Sequence, residues 1–271
     1  MSDSNVTDLN QWREDRTSST RFFTTVYEVA PTGSRPLLVR ADNGSKYWCK
    51  QLNNSQGPEV VVNELVTSII GDAIGAPIPK WTILRPSPTL IGKRFRNSRN
   101  PNEMTCVFEE PVFGSLVVDF PGIPMHSSVF QFVDDNSNQR RIARLIALIL
   151  ICNGQDVQFS YEKENDNTIW CFDFGFWFDS HESPWGLTPH DAAFGRPDLP
   201  SLHTCISERY WHEAIDTLNQ LNATALIEDI THHLPEEWKI PEARVVQLVR
   251  YAIERRDYAK QELSRLQQAY F

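Results

Sequence analysis

Apolar and polar positions alternate along the first third of the chain and then fall into helical spacing. Residues 22–29 alternate loosely and predict a strand, 31–36 a turn, 37–40 a second strand and 46–51 a third. Between the last two, Asp42-Asn43-Gly44-Ser45 is a strong hairpin signal, because Asn-Gly tolerates positive φ at both central positions. The three strands predict an antiparallel meander with Lys50 near the end of its last strand. A loop over 53–57 leads to Pro58 and Glu59, which suit the first turn of a helix. Val61, Leu65, Ile69 and Ala73 then fall on one helical face, and Gly75, Pro77 and Pro79 mark the stop. Residues 81–84 predict another strand. Residues 86–103 are polar and basic, with Lys93, Arg94, Arg96 and Arg99, and predict an exposed loop. The short apolar segments 104–108 and 112–118 read as a link between two lobes.

Beyond residue 126 the pattern is helical. A very apolar helix is predicted over 139–153, carrying Ile142, Leu145, Ile146, Ile149 and Leu150, and it runs directly into Asp156. Residues 159–162 and 168–173 read as two short strands around a polar turn at 163–167. The stretch from Trp170 to Phe178 reads as a buried apolar strand holding one carboxylate, Asp173, with Gly175 two residues on. An irregular region runs to about residue 203, and the remainder predicts helices over about 207–220, 222–233 and 241–270, punctuated by Pro235 and Pro241. The expected organisation is a flexible arm over 1–20, a β-rich lobe with one helix over 21–118 and a helical lobe over 119–271.

Composition narrows the function classes. A chain of 271 residues can bury one sizeable core, as a single domain or as two lobes sharing a cleft. The hydrophobic share of 41% and charged share of 23% are globular values. A net charge of −9 argues against a nucleic-acid surface as the main function. The five cysteines are scattered without a CxxC pair, three of them in apolar runs, which predicts reduced thiols, a cytoplasmic setting and no zinc site. The polar N-terminus does not read as a signal peptide, and the longest apolar run, Leu145 to Cys152, is too short to span a bilayer. Neither a nucleic-acid nor a membrane partner is expected.

The candidate chemistry centres on Asp173. A carboxylate among aromatics is costly to desolvate unless a cation or hydrogen-bond donors meet it. It reads either as a strand-end aspartate satisfied by backbone amides or as a Mg²⁺ ligand bridging phosphate oxygens, an ion that takes most of its ligands from water and phosphate. Asp156 reads as a turn or capping aspartate, or as the carboxylate that accepts the proton of an attacking hydroxyl. Gln158 offers an amide oxygen to a metal, though glutamine is a poor ligand. Lys50 reads as a solvated edge lysine or as the cation that reaches nucleotide phosphates, with Glu64 on the following helix as its carboxylate partner. Gly33 and Ser34 form a weak phosphate loop, with one glycine and no Walker lysine. The seven histidines show no metal-ligand spacing, and no G-x-S-x-G elbow is present.

The order Gly33-Ser34-Arg35-Pro36-Leu37-Leu38-Val39, Asn43-Gly44 and Tyr47-Trp48-Cys49-Lys50 resembles the start of the HipA-like kinase family. Gln56-Gly57-Pro58, Val62-Asn63-Glu64-Leu65 and Gly75-Ala76-Pro77-Ile78-Pro79 follow in the same order. Asp156-Val157-Gln158-Phe159-Ser160-Tyr161 is similar to the family's D-x-Q-F-x-Y catalytic segment, and Phe172-Asp173-Phe174-Gly175 resembles its metal-binding segment, usually D-H-G. The match covers most of residues 25–260. The resemblance implies an α+β, two-lobed protein-kinase-like fold, with a small antiparallel β lobe carrying one helix and a larger helical lobe. It implies an ATP- and Mg²⁺-dependent transfer of the γ-phosphate to a serine or threonine of a protein, with a regulatory partner protein possible. By position Asp156 is the catalytic aspartate, Lys50 binds ATP phosphates, Glu64 holds Lys50, Gly33 and Ser34 lie over the phosphates, and Asp173 binds Mg²⁺. Two departures stand out. Most kinases follow the catalytic aspartate with a metal-binding asparagine, and here the nearest amide is Gln158. A register slip within Asn153-Gly154-Gln155-Asp156 would put Gln155 at the catalytic position and make the chain a pseudokinase, a nucleotide-binding module without phosphotransfer. A small-molecule acceptor is a third reading.

Overall fold

The computed structural model of the chain describes residues 21–97, 99–100, 102–118, 128–180, 185, 187 and 197–269; the arm expected over 1–20 lies outside them. The chain separates into two compact units, Met1–Gln51 with Lys80–Leu116, and Leu52–Pro79 with Val117–Phe271.

The first unit holds β1 (Arg21–Val29), β2 (Leu37–Ala41), β3 (Lys46–Lys50), β4 (Trp81–Pro86), β5 (Arg94–Arg96), β6 (Met104–Cys106) and β7 (Val112–Leu116). The meander β1-β2-β3 forms as the alternation predicts, and Gly44 turns the β2–β3 hairpin at φ 84°, its N–H donating to Ala41 O at 3.0 Å. The sheet then closes into a barrel in the order β1-β2-β3-β7-β4. Parallel pairing of Arg21, Phe22 and Phe23 with Leu84, Arg85 and Pro86 makes the closure, and it removes the sheet edges. Residues 112–116 are therefore not a link between lobes. They form an inner strand, hydrogen-bonded to β3 on one side and β4 on the other. A Cβ at Gly114 would come within 2.9 Å of Leu84 and 3.3 Å of the Cys49 sulfur, so the bare backbone is what lets the strands close over the core there. Phe23, Leu37, Val39, Tyr47, Cys49, Leu84 and Val112 fill the interior. The basic segment is not all loop either: β5 pairs with β6, Arg94 opposite Cys106, and presents Arg94 and Arg96 to solvent.

The second unit holds α1 (Glu59–Ile74), α2 (Asn138–Ile151), β8 (Gln158–Glu162), β9 (Thr168–Phe172), α3 (Glu208–Gln220), α4 (Ala223–His233), α5 (Glu242–Glu254) and α6 (Arg256–Ala269). Helix α1 starts behind Pro58 and stops at Gly75 in the left-handed conformation, φ 65°. It was expected to belong with the meander and to bury one face. Instead it groups with this unit, where α2, α3, α4 and α5 all pack against it, and it is buried nearly all round. Asn63, Glu64, Thr67 and Ser68 are inside, whereas Ala73 is exposed. Helix α2 is buried without interruption from Leu145 to Ile151 and packs against α3, α6 and β9. The single helix expected over 241–270 is two helices meeting at Arg255. That side chain is fully buried: its Nε donates to Leu150 O at 2.9 Å, and its guanidinium lies 5.6 Å from the Tyr251 ring centre and 5.0 Å from that of Tyr258. Periodicity continues across the joint, so only the tertiary demand for a buried arginine under α2 marks the break. Among the described residues no helix is long and apolar enough to cross a membrane.

Candidate functional site

The second unit builds its site from the end of α2 outward. The helix closes with Cys152 N–H on Leu148 O and Gly154 N–H on Ile149 O. Asn153 then turns the chain left-handed at φ 49°, and its amide donates to the Tyr251 hydroxyl at 3.0 Å. Gly154 lies flat on Trp177: a Cβ there would meet the indole at 3.0 to 3.2 Å. Asp156 also sits in the left-handed region, φ 51°, with its side chain exposed. Asp198 holds it there by a reciprocal pair, its carboxylate accepting the Asp156 N–H at 2.9 Å while its own N–H donates to Gly154 O at 2.8 Å. Gln155, the alternative catalytic residue, has its amide oxygen buried without a hydrogen-bond partner, whereas the Asp156 carboxylate faces out and accepts from Gln158 Nε2 at 3.2 Å.

The β8–β9 register decides what meets Asp156. Gln158 lies opposite Phe172, so Asp156 and Gln158 enter the hairpin at the end where Asp173 leaves it. The apolar stretch around Asp173 is accordingly not one strand. β9 ends at Phe172, Asp173 turns left-handed at φ 64°, and a tight irregular segment follows, with Phe178 and Asp179 again at positive φ. Such values are uncommon outside glycine and need support from the surrounding structure. Phe178 N–H donates to Cys152 O at 2.9 Å, tying this segment back to the loop of Asp156.

Helix α1 supplies the rest of the support. Glu64, 3% exposed, accepts the Phe174 N–H at 3.0 Å. Its neighbour Asn63 donates to Gly175 O and Trp177 O. Burial pushes the Cys171 thiol well up, and the negative charges of Glu64 and Asp173 add to the shift. Glu64, Asp156, Gln158 and Asp173 therefore gather in one unit. Asn63, Asp198 and the Asn153–Tyr251 pair were not found from the sequence. Asn63 had a signal, since it stands beside Glu64 as a polar pair in an otherwise apolar helical run. Asp198 lies in a proline-rich stretch with no pattern to single it out.

The remaining candidates belong to the first unit. Lys50 closes β3 on the face opposite Tyr47 and Cys49, and it is buried, 7% exposed, the only buried charged side chain of this unit among the described residues. Gly33 and Ser34 lie in the β1–β2 turn, Gly33 exposed and Ser34 buried, with Arg35 N–H donating to Thr32 O.

The donor set of the second unit is hard oxygen: two carboxylates and a glutamine amide at one hairpin end. That chemistry fits Mg²⁺ and not a soft metal. Among the described residues no three His, Cys, Asp or Glu side chains form a cluster able to hold a metal, so an ion here would complete its shell with water and phosphate oxygens.

No family model matches the chain, and no curated protein matches it in sequence. Among solved structures it is similar to a Golgi casein kinase with Mn and ADP bound, at 11% identity and a TM-score of 0.49, over 98% of this chain and 77% of that one. A second Golgi casein kinase structure is similar at 14% identity and a TM-score of 0.47, over 100% of this chain and 76% of its own.

Proposed function

We propose that this chain is a kinase-like phosphotransferase that uses ATP and Mg²⁺ and moves the γ-phosphate to a hydroxyl, on a serine or threonine of a protein substrate. One observation supports the reading: the β8–β9 register brings the Asp156 loop and the Asp173 turn to one hairpin end, where a base and a metal-binding carboxylate would both be needed. In this reading Asp156 accepts the proton of the acceptor hydroxyl as its oxygen bonds to the γ-phosphorus and the bond to the β–γ bridging oxygen breaks, releasing ADP. Gln158 aims the Asp156 carboxylate through the 3.2 Å hydrogen bond. Asp173, with the Gln158 amide oxygen as a candidate second donor, would hold Mg²⁺, which when bound neutralises charge on the phosphates. Lys50, Gly33 and Ser34 are the proposed contacts to the phosphates, and Glu64 caps the Phe174 N–H behind Asp173. The exposure of Asp156, whose backbone Asp198 holds through its N–H, favours it over Gln155 as the base and so favours a catalyst over a pseudokinase.

The test is calorimetric titration of ATP with and without Mg²⁺, on the wild type and on Asp173→Asn, followed by a γ-phosphate transfer assay. Binding that requires Mg²⁺ and is lost in Asp173→Asn is expected. Asp156→Ala should keep nucleotide binding and lose transfer by at least 10²-fold, the lower end of what a positioned base contributes. A folded wild-type protein that binds no nucleotide under any condition overturns the reading, and binding without transfer makes the chain a pseudokinase.

A further inference from the structure

The segment that follows Asp173 satisfies its own backbone only in part, through Trp177 N–H on Phe174 O at 3.1 Å and Ser180 N–H on Phe176 O at 3.4 Å. It leaves β9 at Phe172, and Asp173, Phe178 and Asp179 are all left-handed, so no ladder or helix accounts for the groups between them. One side chain takes over much of that role. Asn63 is fully buried in α1, and its Nδ2 reaches Gly175 O at 2.8 Å, Trp177 O at 3.0 Å and Ser180 Oγ at 3.1 Å. An amide has two N–H bonds, so at least one is shared. Its Oδ1 accepts the Trp185 indole N–H at 2.9 Å. The next residue, Glu64, takes the Phe174 N–H. Two consecutive side chains of one helix thus hold the donor and the acceptors that directly follow Asp173.

We infer that Asn63 is a positioning residue for Asp173: it fixes the turn that aims this carboxylate, and so sets the affinity of the site for a divalent cation. The inference rests on the proposed phosphotransferase reading for its metal, and on the hydrogen bonds above for its clamp. Donor chemistry, not volume, is the operative property. Asn63→Asp keeps the shape but sets a carboxylate against two carbonyl oxygens, next to Glu64. Asn63→Ser keeps a single short donor and no charge, and serves where the aspartate variant does not fold.

The experiment has two arms on the full chain. In the first, the Mg²⁺ concentration for half-maximal transfer is measured at saturating ATP, and the KM for ATP at saturating Mg²⁺. Asn63→Ser and Asn63→Asp should raise the Mg²⁺ requirement at least tenfold while changing the ATP KM by less than threefold; an unchanged Mg²⁺ requirement overturns the inference. A general loss of folded protein would instead lower total activity and leave that requirement in place. In the second arm, amide hydrogen exchange is followed at Phe174, Trp177 and Phe178 without any ligand. Exchange at least tenfold faster than in the wild type is expected, with α2 unchanged, and wild-type protection there shows that Asn63 is no clamp. If the wild type binds no Mg·ATP, the phosphotransferase reading falls and takes the metal role with it, and the exchange arm alone decides the clamp.

Discussion

Strand β2 of the barrel turns Leu37, Val39 and Ala41 inward while Leu38 stays half-buried and Arg40 is exposed. Helix α1 of the second unit buries Asn63, Glu64, Thr67 and Ser68 among its valines, leucines and isoleucines. The two regions solve the same problem by different means. In a closed sheet every strand finds its backbone partners in its neighbours, so the interior needs no side-chain donors and can be filled with apolar volume. The second unit carries the left-handed turns of Asp156 and Asp173 and the loops behind them, and some of their N–H and C=O groups take partners from elsewhere. Buried amides and carboxylates on the helices provide them. Stability should therefore follow side-chain volume in the barrel and hydrogen-bond identity around the site.

The sharpest contrast is at Leu37, which is fully buried. Leu37→Ala should cost about 3 kcal/mol in urea unfolding of the full chain, within the usual range for truncating a core leucine. Leu37→Met, which keeps volume, should cost less than about 1.5 kcal/mol. Equal losses from both would show that the barrel depends on more than volume.

The counterpart in the second unit is Asn138, fully buried at the start of α2. Its amide donates to Phe132 O and Asn167 O, each at 2.8 Å, and its oxygen accepts the Ile169 N–H at 3.0 Å. Asn138→Leu nearly conserves volume and adds apolar surface. It should nonetheless destabilise by about 2 to 3 kcal/mol, because it strands two carbonyls and one amide. A Leu variant within about 0.5 kcal/mol of the wild type, the usual range for innocuous changes, would erase the distinction between the two units.

The same distinction explains what the sequence could show. The three strands of the meander, the Asn43-Gly44 turn, the Pro58 start and Gly75 stop of α1 and the hairpin around 163–167 all rest on local rules, and each formed within a residue or two of its expected bounds. Barrel closure was not legible, because the pairing of Arg21 with Leu84 joins strands far apart in the chain and leaves no mark in either. The inner position of β7 was hidden for the same reason, with Gly114 as its one clue. Around the candidate site, Asp156, Gln158 and Asp173 stand out as candidates because their neighbours are distinctive. The partners that orient them, Asn63 and Asp198, act across 112 and 42 positions of sequence. A polar residue that serves a distant backbone looks the same in sequence as one that faces water.

The smallest effect is a pH dependence that both units share. Burial holds the thiols of Cys49, in the barrel, and of Cys152 and Cys171, beside the site, well above the ordinary range. At Cys152 the Arg255 charge pulls the other way without prevailing, and at Cys171 the charges of Glu64 and Asp173 push further up. A folded pKa above the unfolded one stabilises fully below the unfolded value, about 8.5 for cysteine, and is lost as pH rises. Above that point each such thiol should remove about 1.4 kcal/mol of stability per pH unit. Cys171→Ala should make the alkaline slope shallower by about that amount, and Cys49→Ala by the same, although their surroundings differ. Asp173→Asn separates burial from charge. Because burial is the larger cause at Cys171, removing the nearby carboxylate should leave the slope between pH 8.5 and 9.5 unchanged, as those thiols still stay protonated in the folded chain. A slope that flattens in Asp173→Asn as much as in Cys171→Ala would mean that charge holds that thiol protonated. The carboxylates of α1 and the Asp173 turn would then govern their surroundings more strongly than their burial does.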